Sequence, residues 1–144
     1  MSEIHLLKLN FEDTDFSIIR EIRKNVFTTE LGISESELFD KDDERSHHFI
    51  LFNGKNSIGS VRVLSKEKNI KLERMAILSE FRGKNYGRCA ILQLIEYYQT
   101  QEYAKMVLDS ICSVRNFYKK CGFVEEGEIF QRVGIDHIRM SLTL

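Results

Sequence analysis

The chain has 144 residues, 42% hydrophobic and 30% charged, with a formal net charge of -1. That length suits one domain, 1–144, large enough to bury a core without disulfides. The near-neutral charge excludes a global basic field for nucleic acid, and no apolar run is long enough to span a bilayer.

Ile4–Leu9 alternates weakly and predicts a first strand. Asp13 or Thr14 is placed to cap a helix running to about Phe27, with Phe16, Ile19, Ile22, Arg23 and Val26 at helical spacing. Residues 35–45 hold six acids (Glu35, Glu37, Asp40, Asp42, Asp43 and Glu44) against Lys41 and Arg45. They read either as a solvated loop with one helical turn or as a lid that attracts a cationic substrate. His48–Asn53 and Ser57–Leu64 flank Asn53-Gly54-Lys55-Asn56, a hairpin signal because Asn and Gly tolerate positive φ. Ile70–Leu78 predicts another strand, and Tyr86–Thr100 an amphipathic helix with Ala90, Ile91, Leu94, Ile95 and Tyr98 on one stripe. Lys105–Ile111 is a short strand; Ser113 can cap a helix through Lys120 that Gly122 ends. Phe123–Gln131 and Ile135–Leu144 form two last strands around Val133-Gly134. The predicted order is β-α-β-β-β-α-β-α-β-β, an α/β chain with a mixed sheet.

Cys89, Cys112 and Cys121 make an odd count with no CxxC pair, against a disulfide framework or a zinc site. With an N-terminus that lacks a signal-peptide layout, this leads us to expect a cytoplasmic protein. No two histidines fall at metal-ligand spacing.

The segment Arg82-Gly83-Lys84-Asn85-Tyr86-Gly87-Arg88 lies between a strand and a helix. Gly83 and Gly87 permit turning and close backbone approach, and Asn85 tolerates a left-handed conformation. Successive N–H groups at a helix start make an anion socket, to which Arg82, Lys84 and Arg88 add charge. The loop lacks the Gly-Lys-Ser/Thr ending of a Walker A loop and the acid that follows a GxGxxG fingerprint.

Arg82–Gly87 resembles the R/Q-x-x-G-x-G/A loop of the GNAT superfamily of N-acetyltransferases, with Asn85 in place of the middle glycine. Asn116-Phe117-Tyr118-Lys119-Lys120-Cys121-Gly122-Phe123 is similar to that family's FYxKxGF segment. Further segments resemble the ElaA-like branch: Arg23-x-x-Val26-Phe27-x-x-Glu30, the acidic stretch leading to Ser46-His47-His48, Leu72-Glu73-Arg74, and Gly134-Ile135-Asp136-His137-Ile138-x-Met140. The resemblance implies the GNAT fold, with acetyl-CoA (coenzyme A) bound beside two strands that splay apart. It implies backbone contacts at Met75, Ala76 and Ile77, pyrophosphate contacts at the Arg82–Arg88 loop including Tyr86, and a cofactor contact at Asn116. It implies Tyr118 as proton donor to the departing thiolate. Glu73 is the candidate base, and strand alternation puts Arg74 on the opposite face. Arg23, Phe27, Glu30, His48 and His137 are the acceptor-site candidates.

The implied activity is transfer of an acetyl group to a primary amine in a ternary complex. The acceptor is a small molecule or peptide, with no nucleic acid and no membrane as partner. Dimerisation is common in the superfamily, and no motif here decides it. The alternative is a domain of the same fold that binds acyl-CoA without turnover. A nucleotide-phosphate-binding protein would need a magnesium-binding Ser/Thr that the loop lacks.

Overall fold

The computed structural model describes residues 4–12 and 16–144. Asp13 and Thr14, the proposed caps of the first helix, lie outside these residues. Seven strands form one mixed sheet: β1 (Ile4–Leu9), β2 (His47–Asn53), β3 (Asn56–Lys66), β4 (Asn69–Ile77), β5 (Lys105–Ile111), β6 (Val124–Arg132) and β7 (Ile135–Thr143). Their order across the sheet is β1-β2-β3-β4-β5-β7-β6, and β4 with β5 is the parallel pair. The predicted hairpin forms as read: Asn53 pairs with Asn56 around a turn in which Gly54 has φ +62°.

Three α-helices pack on this sheet: α1 (Phe16–Arg23), α2 (Tyr86–Gln99) and α3 (Arg115–Lys120). The apolar stripe of α2 buries Ala90, Ile91, Leu94 and Tyr98 against Phe49, Leu51, Ile58, Val61 and Val63. On the other face, Ile19 of α1 packs with Leu9 and Ile50, while Ile22 and Val26 meet Ala76. Truncating a fully buried aliphatic side chain such as Leu94 costs ~2–5 kcal/mol by the usual core rule. Among the described residues, no helix is long and apolar enough to cross a membrane.

Two local features depart from expectation. The first helix does not continue as α-helix to Phe27; Lys24–Glu30 winds as a π-helix, a form often found at functional sites. Ser113 does not cap α3; it lies in a 3-10 turn (Cys112–Val114), and the cap position is Val114 with no side-chain bond. Gly122 does take the left-handed position after α3, at φ +104°.

The sheet opens in its middle. The β4–β5 ladder runs only from Asn69↔Lys105 to Leu72↔Leu108, although β4 continues to Ile77 and β5 to Ile111. A bulge bends β4 there: the β3 register skips between Ser60↔Ala76 and Arg62↔Glu73, with Arg74 at φ +55°. Gly59 of β3 permits the close approach beside it, since a Cβ there would sit 2.5 Å from the Ala76 carbonyl oxygen.

Candidate active site

Two clefts meet where β4 and β5 part. The larger, about 670 Å³, is lined by the end of β4, the turn before α2, and α3. The smaller, about 220 Å³, lies between β4, β5, the β6–β7 turn and the 33–38 segment. Phe27, Met75, Ile111, Val114 and Tyr118 line both.

The larger cleft is built around a helix start. Gly83 (φ +77°) and Asn85 (φ +65°) turn the chain into α2. The first helical N–H groups have no partner within the helix, so those of Tyr86, Gly87 and Arg88 form an anion socket. Gly83 has open space around its missing Cβ, as a ligand-facing position would. Gly87 has a different job: a Cβ there would stand 3.1 Å from the Phe117 ring, so it seats α2 against α3. Met75, Ala76 and Ile77 line the cleft along the β4 edge that β5 no longer covers.

The cationic side chains divide. Arg88 lines the cleft, and so does Lys120, which the sequence reading left aside. Lys84 instead stands 6.0 Å from the Phe81 ring and is not among the lining residues. Arg82 lines the cleft but is engaged: its Nε donates to the Ile77 carbonyl at 2.8 Å, and its guanidinium pairs with Glu30 at 2.7 and 3.1 Å. Glu30, expected on the acceptor side, therefore lies on the other side, delivered by the π-helix. Tyr86 accepts a hydrogen bond from Asn53 Nδ2 at 3.0 Å. Asn116 is exposed on α3 and lines neither cleft, so the structure does not bring it to the cofactor side.

Tyr118 stands at the junction, packed against Phe117 and Phe123. Burial raises its phenol above the ordinary range, so it stays protonated at neutral pH. Its hydroxyl makes no hydrogen bond among the described residues.

Glu73 lines the smaller cleft. Its Oε1 accepts from Arg62 at 3.0 and 3.1 Å, and its Oε2 lies 3.3 Å from Lys71. Arg74 is not on the opposite face: the bulge breaks strand alternation, and Arg74 lines the same cleft and meets the same acid, Asp40, as Arg62 does. Phe27 lines both clefts, as an acceptor-site residue would. His137 also lines the smaller one, donating Nδ1–H to the Ile135 carbonyl at 2.8 Å and stacking on Phe130.

Two acceptor-site candidates are core residues instead. Arg23 is 1% exposed, pairs with Asp43 at 3.0 Å, donates to the Leu38 carbonyl and lies 4.6 Å from the Phe39 ring. Burial lowers its guanidinium to about 10. His48 is fully buried, bonded to the Asp43 carbonyl at 2.8 Å and edge-on to Phe16; burial lowers its pKa. Both help fold the 34–45 segment onto the sheet rather than face a ligand. Its acids are correspondingly committed: Asp43 is buried between Arg23 and Arg62, and Asp40 bridges Arg62 and Arg74.

Asp109, which lines the smaller cleft, and Arg62, which holds Glu73 from behind, were not singled out from the sequence. Each is a charged residue flanked by apolar neighbours, Val61 and Val63 around Arg62 and Val107-Leu108 before Asp109, a signal that was available. Burial alone would raise the Asp109 carboxyl, but bonds from Arg139 and Lys71 outweigh it and hold it far below the carboxylate range.

A parting pair of parallel strands, an anion socket on one side and a small charged cleft on the other is a two-substrate arrangement. A family model described as an acetyltransferase (GNAT) domain matches residues 24–144. The chain belongs to the GNAT acetyltransferases. As a GNAT protein it is an N-acetyltransferase of an acetyl-CoA-dependent class. YjcF of Bacillus subtilis (strain 168), described as an uncharacterized N-acetyltransferase, is 27% identical over 120 residues, covering 83% of this chain and 86% of YjcF. Escherichia coli ElaA superposes with a TM-score of 0.83 at 19% identity, over 95% of this chain and 98% of that one. A spermidine N-acetyltransferase from Vibrio cholerae, solved with CoA and spermine, gives a TM-score of 0.71 at 24% identity, over 98% of this chain and 95% of that one. At these identities the two superpositions speak for the GNAT fold. They agree with the ElaA-like resemblance of the sequence.

Proposed function

We propose that the chain transfers an acetyl group from acetyl-CoA to a primary amine, directly, with both substrates bound. The observation that carries this reading is the junction: two clefts of different character share Tyr118 and Met75 where β4 and β5 separate. The larger cleft suits coenzyme A, with free N–H groups and Arg88 and Lys120 for the pyrophosphate. The smaller cleft falls below the usual volume of a drug-sized site, about 300 Å³, and suits a small amine or a side-chain tip.

Bound acetyl-CoA supplies the thioester whose acetyl group moves. Glu73, held in place by Arg62 and Lys71, takes a proton from the acceptor ammonium, directly or through one water, which frees the nitrogen lone pair. The uncovered β4 backbone at Met75–Ile77 orients the pantetheine and its carbonyl oxygen. As the carbon–nitrogen bond forms and the carbon–sulfur bond breaks, Tyr118 gives its proton to the sulfur. Its position where the two clefts meet supports that role.

A thiol-release assay with acetyl-CoA and a panel of amines tests this. Release that depends on the amine is expected. Tight acetyl-CoA binding with no release from any amine would replace the reading with acyl-CoA sensing. Glu73→Gln is expected to lower kcat by about 10²-fold and flatten the rise of rate with pH. An unchanged profile removes Glu73 from the proton path.

A further inference from the structure

The smaller cleft is backed by one continuous ion-pair network, of which Lys71, Glu73, Arg74, Asp109 and Arg132 line the cleft itself. Arg23 pairs with Asp43, Asp43 with Arg62, Arg62 with Asp40 and Glu73, and Asp40 with Arg74. Glu73 continues to Lys71, Lys71 to Asp109, and Asp109 to Arg132 and Arg139. The network thus joins six cations to four carboxylates among the described residues, with Lys71, Arg74 and Arg132 the cations that reach the cleft. The network is dry at its centre, where the Arg23, Arg62, Asp43 and Asp109 side chains are at most 2% exposed, so solvent screens it weakly. Glu37, exposed at the cleft mouth, is the lining acid with no cation partner among the described residues; with it the lining charges balance, Glu37, Glu73 and Asp109 against Lys71, Arg74 and Arg132, and the surplus lies in the residues behind them.

A polyammonium acceptor needs unpaired carboxylates. Here Glu73 and Asp109 each already hold at least two cations, and Asp40 holds two more. What the cleft offers instead is a spare donor. Arg132, 47% exposed, gives Nη1 alone to Asp109 and lies 5.2 Å from the Phe130 ring. Arg139 and Lys71, by contrast, each have two bonds to acids.

We propose that the acceptor is an amine that also carries an anionic group, a carboxylate in the simplest case, and that Arg132 receives it. This rests on the acetyltransferase reading above. Ile33, Leu38, Leu72 and Leu108 line the same cleft and suit an apolar body between the two charged ends. The class is that of small amino acids, not polyamines.

The test compares apolar L-amino acids with their methyl esters and with spermidine, by kcat/KM in the thiol-release assay at one pH. The esters hold more free amine, so intrinsic reactivity favours them. The free acids are expected to exceed the esters by about tenfold, with KM rising with salt for the acids only. Arg132→Gln is expected to erase the preference while leaving ester turnover in place. Equal or better turnover of esters or of spermidine overturns the proposal. If no amine is acetylated, the acetyltransferase reading falls separately. Calorimetric titration of the same acids and esters into the CoA-loaded protein then still decides between anionic and neutral ligands.

Discussion

Arg82 and Glu30 hold each other in the larger cleft, and under the proposed function the pairing places a carboxylate where a pyrophosphate would compete for the same guanidinium. Glu30→Gln removes the competing charge and frees two donors of Arg82. Acetyl-CoA is expected to bind about fivefold more tightly in that variant, measured by calorimetry. Weaker binding would instead make Glu30 a support that positions Arg82. At the other end of the ligand, Tyr118→Phe is expected to lower kcat by about 10²-fold with acetyl-CoA affinity unchanged. An equal loss of affinity would mean that the hydroxyl serves binding. The sequence made Tyr118 legible through a local motif. It did not reveal the burial of Arg23 and His48, because that depends on Asp43, a residue twenty positions from Arg23 that folds back through the 3-10 turns Glu35–Glu37 and Lys41–Arg45.

Strands and helices were readable in order because each carries its own period. The hairpin at Asn53-Gly54 and the α2 stripe are local signals, and both formed where expected. The bulge at Arg74 was not readable, because it arises from the competing registers of β3 and β4 rather than from any residue of β4 alone. That bulge is why Glu73 and Arg74 share a cleft. Gly59 sits opposite it, and a Cβ placed 2.5 Å from the Ala76 carbonyl oxygen forces the two strands apart. Gly59→Ala is therefore expected to destabilise the fold by ~3 kcal/mol, read as a lowered Tm, and to widen the junction. An unchanged Tm would show that the strands yield freely. Asn85, at φ +65°, carries the opposite expectation: Asn85→Gly relieves its left-handed strain and is expected to raise stability by up to ~1 kcal/mol, read as a raised Tm, and a lowered Tm would contradict it.

Across the whole molecule, the buried charges set how stability varies with pH. His48 has its pKa lowered by burial, and His47 likewise. The unfolded chain then binds protons that the folded one refuses, so stability falls as pH drops through about 6.5. Asp40, bonded by Arg62, and Asp109, bonded by Arg139 and Lys71 against its burial, are both lowered. Their stabilisation is complete above the unfolded carboxylate range and is lost as pH falls below about 4. Stability measured by urea titration is expected to decline in two stages between pH 7 and pH 2, and a flat profile would contradict the ion-pair network. The α/β order and the loop could be read from the sequence. The network behind the smaller cleft joins α1, the 3-10 turn at 41–45 and strands β3 to β7, so it exists only in the folded sheet.

Calorimetric titration of acetyl-CoA and of S-acetylpantetheine, which lacks the pyrophosphate and nucleotide, tests the central claim most directly. If the start of α2 grips the pyrophosphate, Arg88→Ala weakens acetyl-CoA by about tenfold and leaves S-acetylpantetheine unchanged. Equal affinity of the two ligands for the unmodified protein, or an Arg88→Ala variant that binds acetyl-CoA as well as its parent, would contradict it.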